Sequence, residues 1–150
     1  HGVAELQVAE TNPLRRQSLQ QHARCDSFDP REGSAPENQF DFVIDAVGSA
    51  ATRTSALVAV KPGGVVMHIG LQDWASEIDM RKLTLAEITL LGTYTYTTAD
   101  LRATVAALAR GVFGDLAWVE RRPLSAGPMA FADLHHGRTA SAKLVLEPNG

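Results

Sequence analysis

The pattern of apolar and polar positions at the start of the chain predicts a strand followed by a helix. In residues 5–10, Leu6 and Val8 alternate with polar neighbours, which is typical of a strand that ends at Glu10. Asn12 is a good helix cap and Pro13 suits a first helical position, so "PLRRQSLQQHA" should be helical. "RCDSFDP" predicts a short strand at about 24–28, and "PREGSAPENQ" predicts a polar loop.

The central part of the chain alternates unbroken apolar runs with segments of helical spacing. "FDFVIDAVG" and "VVMHIGL" predict buried strands, and "SAATRTSALVAV" between them predicts a helix that "KPGG" ends. "MRKLTLAEITLLGTYTY" predicts a short helix and a strand at about 87–95. Apolar strands separated by helices favour βαβ crossovers and a parallel sheet covered on both faces.

The last third of the chain continues the alternation. "TTADLRATVAALARG" predicts a helix capped by Thr97, with Asp100 in its first turn and Gly111 as a left-handed stop. "AWVER" and "AKLVLEP" are strand-like, and "AGPMAFADLHHG" between them is helix-like. The fold class predicted from the whole pattern is α/β.

Composition narrows the classes of protein. The 150 residues are 45% apolar and 21% charged, which is typical of one globular domain, and the formal net charge of −3 disfavours nucleic acid as a partner. Cys25 is the single cysteine, which excludes an internal disulfide and suits the cytoplasm. No apolar run approaches the ~20 residues of a membrane helix, and the first residues do not resemble a signal peptide.

Candidate binding residues lie where the predicted strands end. A carboxylate at a strand end, such as Glu10, can accept hydrogen bonds from the ribose hydroxyls of a dinucleotide, although it can equally face water. Gly48, Gly70 and Gly92 fall at or near three further strand ends, where glycine permits either a tight turn or close approach of a ligand. His135 and His136 could suggest a metal site, but neighbouring helix positions point about 100° apart. We therefore expect histidines at a helix end, near its negative pole.

Three segments together resemble the medium-chain dehydrogenase/reductase family, in particular its zinc-dependent alcohol and polyol dehydrogenases. The segments are "FDFVIDAVGSAATRTSALVAVKPGGVVMHIGL", "LTLAEITLLGTYTYTTADLRATVAALARG" and "PMAFADLHHGRTASAKLVLEP". The resemblance implies a Rossmann-like doubly wound parallel sheet with a C-terminal closing segment. Residues 1–95 would form a partial dinucleotide-binding domain, and residues 96–150 would pack on a catalytic domain.

The resemblance also implies a cofactor, NAD, and a role for individual residues. Glu10 would bind the adenosine ribose, with Thr11 and Val47 lining the adenine slot and Arg15 near the ribose. Gly48 and Ser49 would border the same end of the cofactor. The backbone of Ile69, Gly70 and Leu71 would run beside the nicotinamide, and Thr93 and Thr95 would offer backbone groups to its carboxamide. Lys143 would reach the pyrophosphate. Arg15 and Arg16 leave NADP possible, because guanidinium groups can receive its extra phosphate.

Some features of the family are not found in these residues. The first strand and the Gly-rich loop would stand before His1, as would the domain with the zinc ligands, so the sheet is expected to be incomplete. Residues 5–10 would then pair directly with 41–47, or a gap would open between them. Zinc is expected only in the complete enzyme, and no residue here is assigned as catalytic or metal-binding. We expect an isolated chain of this kind to be marginally stable, aggregation-prone or dimeric.

The function implied is the coenzyme-binding portion of an NAD(P)-dependent alcohol or polyol dehydrogenase, inactive alone, in a cytoplasmic homo-oligomer with neither nucleic acid nor membrane as partner. One alternative is a zinc-independent quinone or enoyl reductase of the same family. Another is a non-catalytic truncated module that acts through self-association or a partner. Nucleotide affinity distinguishes this module from both enzymes.

Overall fold

The computed structural model describes residues 3–23, 25–33 and 35–148. They form an α/β structure whose strand pairs are all parallel, as the alternating pattern predicts. The chain divides into two compact units, one of residues 1–33 with 100–150 (unit 1) and one of residues 34–99 (unit 2). The domain division at residue 95 remains a prediction.

The first part of unit 1 is a small βαβ unit. Strand β1 (Gln7–Ala9) pairs with β2 (Asp26–Phe28), and helix α1 (Pro13–His22) connects them. Asn12 caps the helix as predicted, because its side-chain oxygen accepts hydrogen bonds from the N–H groups of Leu14 and Arg15 at 2.9 and 3.4 Å. The predicted strand near 24–28 is thus confirmed from residue 26, whereas residue 24 lies outside the described residues.

The second part of unit 1 repeats this arrangement near the C-terminus. Strand β6 (Val119–Pro123) pairs with β7 (Lys143–Glu147), and a 3-10 turn and helix α5 (Gly127–His135) lie between them. The unit also includes helix α4 (Thr98–Ala109) from Asp100 onward, and Gly111 after the helix has the predicted left-handed φ of +69°. The side-chain amide of Asn12 donates to the carbonyl of Gly137 at 2.9 Å and so links the two parts of unit 1.

Unit 2 contains the three-stranded sheet β3 (Phe40–Asp45), β4 (Val60–His68) and β5 (Thr89–Gly92) in that order. Helix α2 (Ala50–Ala59) connects the first two strands, and α3 (Met80–Leu85) lies between the last two. β4 starts directly at the end of α2 and includes "KPGG", which the sequence pattern predicted only as the end of the helix, before a strand over "VVMHIGL". Gly63 has a φ of +74°, and the β3–β4 register shifts between Phe40 and Phe42, so this segment forms an irregular start to the strand.

The core of unit 2 lies on one face of its sheet, where Val66 and Ile88 pack with α2 residues Ala56 and Leu57. The strands follow one another in a single direction, and right-handed crossovers then place both connections on the same face. The other face keeps exposed apolar side chains: Phe42, Ile44 and Leu91 are 48%, 53% and 46% exposed. Coverage of both faces, which the sequence pattern suggested, is therefore not found within the described chain.

None of the helices in the described residues has the length and apolar character needed to cross a membrane.

Candidate functional site

The predicted site residues fall into two groups, one in each unit. Unit 1 holds Glu10 and Thr11 directly after β1, Arg15 in the first turn of α1, and Lys143 at the start of β7. Unit 2 holds the residues that follow its three strands: Val47, Gly48 and Ser49; Ile69, Gly70 and Leu71; Thr93 and Thr95.

The loops after β3 and β4 lie against each other. A β-carbon added to Gly48 would overlap the carbonyl oxygen of Gly70, and Gly48 has a φ of +74°. The backbone N–H groups of Gln72 and Asp73 donate to the carbonyls of Val47 and Gly48 at 3.1 and 3.0 Å. Only glycine permits this approach, so the two glycines fix the shape of this end of the sheet.

Asp45, a residue that the sequence analysis did not select, holds the first of these loops. Its side chain is buried, and Oδ1 accepts hydrogen bonds from the N–H groups of Val47 at 3.1 Å and Gly48 at 2.8 Å. Its carbonyl accepts from the N–H groups of Ile69 and Gly70 at 2.9 and 3.0 Å. One aspartate therefore positions both loops. Its signal in the sequence is an acid at a strand end three residues before glycine, a common turn-forming pattern.

The side chains of the site loops have different roles. Ser49 caps α2 in a capping box with Thr52, so its hydroxyl is engaged within the helix. Val47, Ile69 and Leu71 are exposed and available to line a ligand. Thr93 donates its N–H to the carbonyl of His68 at 3.0 Å, so this N–H is engaged within the unit. Thr95 has a φ of +55°, an uncommon conformation for a β-branched residue.

A hydrogen-bonded cluster lies beside these loops. Arg53 Nε donates to Nε2 of His68 at 3.0 Å, and the other guanidinium nitrogens donate to Ser76 Oγ and the Asp73 carbonyl at 2.9 and 2.7 Å. As an acceptor at Nε2, His68 carries its proton on Nδ1 in this arrangement. The cluster borders a crevice of about 220 Å³, lined by Asp45, Arg53, Leu57, Val66, His68, Ile78, Leu90 and Gly92.

In unit 1 the Glu10 carboxylate lies immediately after β1 and is half-buried. Oε1 accepts a hydrogen bond from the N–H of Asn12 at 2.8 Å, and Oε2 lies 4.0 Å from Nη1 of Arg15. Each carboxylate oxygen has two acceptor positions, so the group can still accept bonds from two hydroxyls of a ribose. Thr11 is exposed next to it.

The buried carboxylate of Asp29 holds two arginines that stabilise the turn at Glu10 and Thr11. Asp29 accepts hydrogen bonds from Arg16 Nη1 at 3.0 Å, and from Nε and Nη2 of Arg31 at 2.9 and 2.6 Å. Arg16 also donates to the carbonyl of Glu10, and Arg31 to that of Thr11, each at 2.6 Å. The hydrogen bonds from Arg31 hold the pKa of Asp29 well below its usual range. The sequence analysis missed Asp29 and Arg31; the "DPR" turn was the available signal.

The remaining predicted residues have simpler surroundings. Lys143 is exposed and pairs in register with Val119 on β6. His135 ends α5 and His136 caps it, as expected, with ring centroids 5.0 Å apart. In the described ranges no group of three or more histidine, cysteine or acidic side chains could hold a metal ion.

The sequence model of the zinc-binding dehydrogenase family matches residues 24–110, which is more than half of the chain. A search of curated protein sequences found no match.

Solved structures share the fold of nearly the whole chain. L-idonate 5-dehydrogenase from Escherichia coli has a TM-score of 0.80 at 22% identity, over 97% of this chain and 43% of its own. Acetophenone reductase from Geotrichum candidum, in complex with NAD, has a TM-score of 0.79 at 25% identity, over 93% of this chain and 40% of its own. A zinc-binding dehydrogenase from Sinorhizobium meliloti, bound to NADP, has a TM-score of 0.80 at 20% identity, over 98% and 46%.

The chain therefore spans less than half the length of these proteins, and the part that it shares with them has the Rossmann-like coenzyme-binding fold. Together with the match over residues 24–110, this shows that the chain belongs to the zinc-binding dehydrogenase family.

Proposed function

We propose that this chain is the coenzyme-binding portion of an alcohol or polyol dehydrogenase and that it binds NAD, with NADP as a weaker ligand. The observation that carries the proposal is the meeting of the β3 and β4 loops at Gly48 and Gly70, at the carboxyl ends of parallel strands. In open parallel sheets this edge is where a dinucleotide lies. When bound, the nicotinamide would supply hydride transfer, the chemistry of the cofactor itself.

Each group of residues has a separate task in this proposal. Glu10 accepts hydrogen bonds from the ribose hydroxyls, and its negative charge repels the extra phosphate of NADP. The backbone of Ile69–Leu71, together with the Thr93 carbonyl and the Thr95 N–H, orients the nicotinamide ring. Lys143 supplies a cation for the pyrophosphate. All these groups bind and orient; none of them takes part in proton transfer or in metal chemistry.

The test is calorimetric titration of the chain with NADH, with NADPH as competitor. We expect binding that weakens about tenfold or more in Glu10→Ala, because two charge-assisted hydrogen bonds are lost. Glu37→Ala removes the same charge from an exposed loop position and should leave binding unchanged. The absence of NADH binding to a chain shown to be folded would contradict the proposal.

The alternative function, a non-catalytic module, can be tested at the exposed apolar face of the unit 2 sheet. Phe42 and Ile44 would then be covered by a second copy or a partner. Self-association of a folded chain without NADH affinity would favour that function. A homo-oligomer and a cytoplasmic location remain predictions from the sequence.

A further inference from the structure

The adenosine end of the proposed site contains more cations than its carboxylate needs. Glu10 is surrounded by Arg15, Arg16 and Arg31, which contact either its side chain, its carbonyl or the carbonyl of Thr11. Guanidinium groups are the usual receptors of a ribose 2′-phosphate. A site of this composition would be expected to accept NADP, unless something occupies the guanidinium groups.

The Asp29 carboxylate already binds two of these guanidinium groups, those of Arg16 and Arg31. Its carboxylate side chain is 4% exposed and accepts hydrogen bonds from both Arg16 and Arg31. Both hydrogens of Arg16 Nη1 and both of Arg31 Nη2 are used, one by Asp29 and one by a backbone carbonyl of the Glu10–Thr11 turn. These donors are therefore engaged before any ligand arrives.

We propose that Asp29 is a specificity-determining residue that makes the adenosine end select NAD(H) over NADP(H), by holding Arg16 and Arg31 against the carbonyls of Glu10 and Thr11. The inference rests on the proposed function. Asp29 acts through the two arginines and is a positioning residue, because it does not itself contact the cofactor.

The physical reason is the cost of releasing the arginines. A 2′-phosphate could bind Arg16 or Arg31 at full strength only if the guanidinium groups turned away from Asp29. That would leave a buried carboxylate without its charge partners, which is strongly unfavourable. The uncharged ribose hydroxyls of NAD need no such release, since they bind to Glu10 alone.

The test compares two probes of the adenosine end, ADP and 2′,5′-ADP, on the 150-residue chain by calorimetry. Asp29→Asn keeps an oxygen that can accept the hydrogen bond from the Arg31 N–H and removes the charge. We expect the affinity for 2′,5′-ADP relative to ADP to rise about tenfold in this variant. Arg31→Gln alone should leave the ratio close to the original value, because Asp29 already engages the guanidinium group that is removed. The double variant should lose part of the rise, because only Arg16 is then released.

Asp133→Asn is the matched control. Asp133 on α5 is also held by two guanidinium groups, those of Arg122 at 2.8 Å and Arg138 at 2.9 Å, and the same charge is removed. The ratio of the affinities for 2′,5′-ADP and ADP in Asp133→Asn should equal that of the original chain. A purely structural role of Asp29 would weaken the two probes equally and leave the ratio unchanged, which would overturn the proposal.

Arg31→Gln keeps the test decisive if Asp29→Asn does not fold, because the Arg31 side chain is 64% exposed and its replacement disturbs little packing. A marked fall in the ratio in that variant would show that Arg31 binds the 2′-phosphate even with Asp29 in place, and would overturn the inference. If ADP binding depends on Glu10 but the ratio does not respond to Asp29→Asn, the proposed function stands and only this inference fails. A folded chain that binds neither probe would overturn both.

Discussion

Gly48 and Gly70 each occupy the space that a side chain on the other would need. A β-carbon on Gly48 would overlap the Gly70 carbonyl, and a β-carbon on Gly70 would overlap the backbone of Val47. The contact joins the ends of β3 and β4 with no room for adjustment, because backbone atoms on both sides would have to move.

Substituting alanine at either glycine should therefore damage both stability and binding. We expect Gly48→Ala to lower the free energy of unfolding by about 3 kcal/mol, since it adds a left-handed φ penalty to the overlap. Gly70→Ala should have a similar effect. Urea denaturation followed by NADH titration would measure both effects.

Gly92→Ala is the control for these variants. Gly92 also ends a strand of the same sheet, but a β-carbon there meets nothing within 4 Å. Its free energy of unfolding should remain within about 0.5 kcal/mol of the original. If all three substitutions cost the same, the close approach would not be the cause.

A second prediction concerns the buried Asp45 side chain. Asp45→Ala removes the acceptor of two backbone N–H groups, those of Val47 and Gly48, and should cost about 2–4 kcal/mol of stability. Asp45→Asn keeps an acceptor oxygen in the same place, so we expect it to lose less than half as much. Denaturation of the two variants side by side decides this. An asparagine variant as unstable as the alanine variant would show that the charge, and not the turn, is what the site needs.

Much of the fold followed from local signals in the sequence. The cap at Asn12, the strand predicted at 41–47 and the stop at Gly111 depend on residues close in sequence, and the structure has each of them, with the strand at Phe40–Asp45. The sequence pattern did not predict the start of β4, because proline and glycine usually break a strand. In the structure Pro62 and Gly63 lie within the irregular first part of this strand. Pairing with a neighbouring strand outweighed the local preference.

The site was harder to predict than the fold. Glycines and an acid at strand ends can be found by position, but the partners of Asp29 cannot, since Arg16 lies thirteen residues away on a helix. The same holds for Arg53 on α2 and His68 at the end of β4, which lie fifteen residues apart in sequence and meet only through tertiary packing. Side-chain networks of this kind depend on tertiary packing and leave no periodic pattern in the sequence.

Asn12 has two roles that can be separated by substitution. Its oxygen caps α1, and its amide nitrogen donates to the carbonyl of Gly137. Asn12→Ala loses both and should cost about 2 kcal/mol, whereas Asn12→Asp keeps the cap and should cost about 1 kcal/mol. Thermal or urea denaturation measures the difference. Equal losses in the two variants would assign the whole effect to the contact with Gly137.

The pH dependence of stability should reveal the Asp29 network. The hydrogen bonds from Arg31 lower the pKa of Asp29 in the folded chain, whereas an unfolded aspartate has a pKa of about 3.9. The stabilisation is therefore present in full above about pH 5 and is lost as the pH falls through the unfolded value towards the folded one. Asp29→Asn has no such proton to bind. The difference in free energy of unfolding between the original chain and this variant should be largest near neutral pH and should shrink steadily below about pH 4. Urea denaturation at a series of pH values measures it, and a difference that stays constant or grows in acid would show that Arg16 and Arg31 do not hold the carboxylate in solution as they do in the structure.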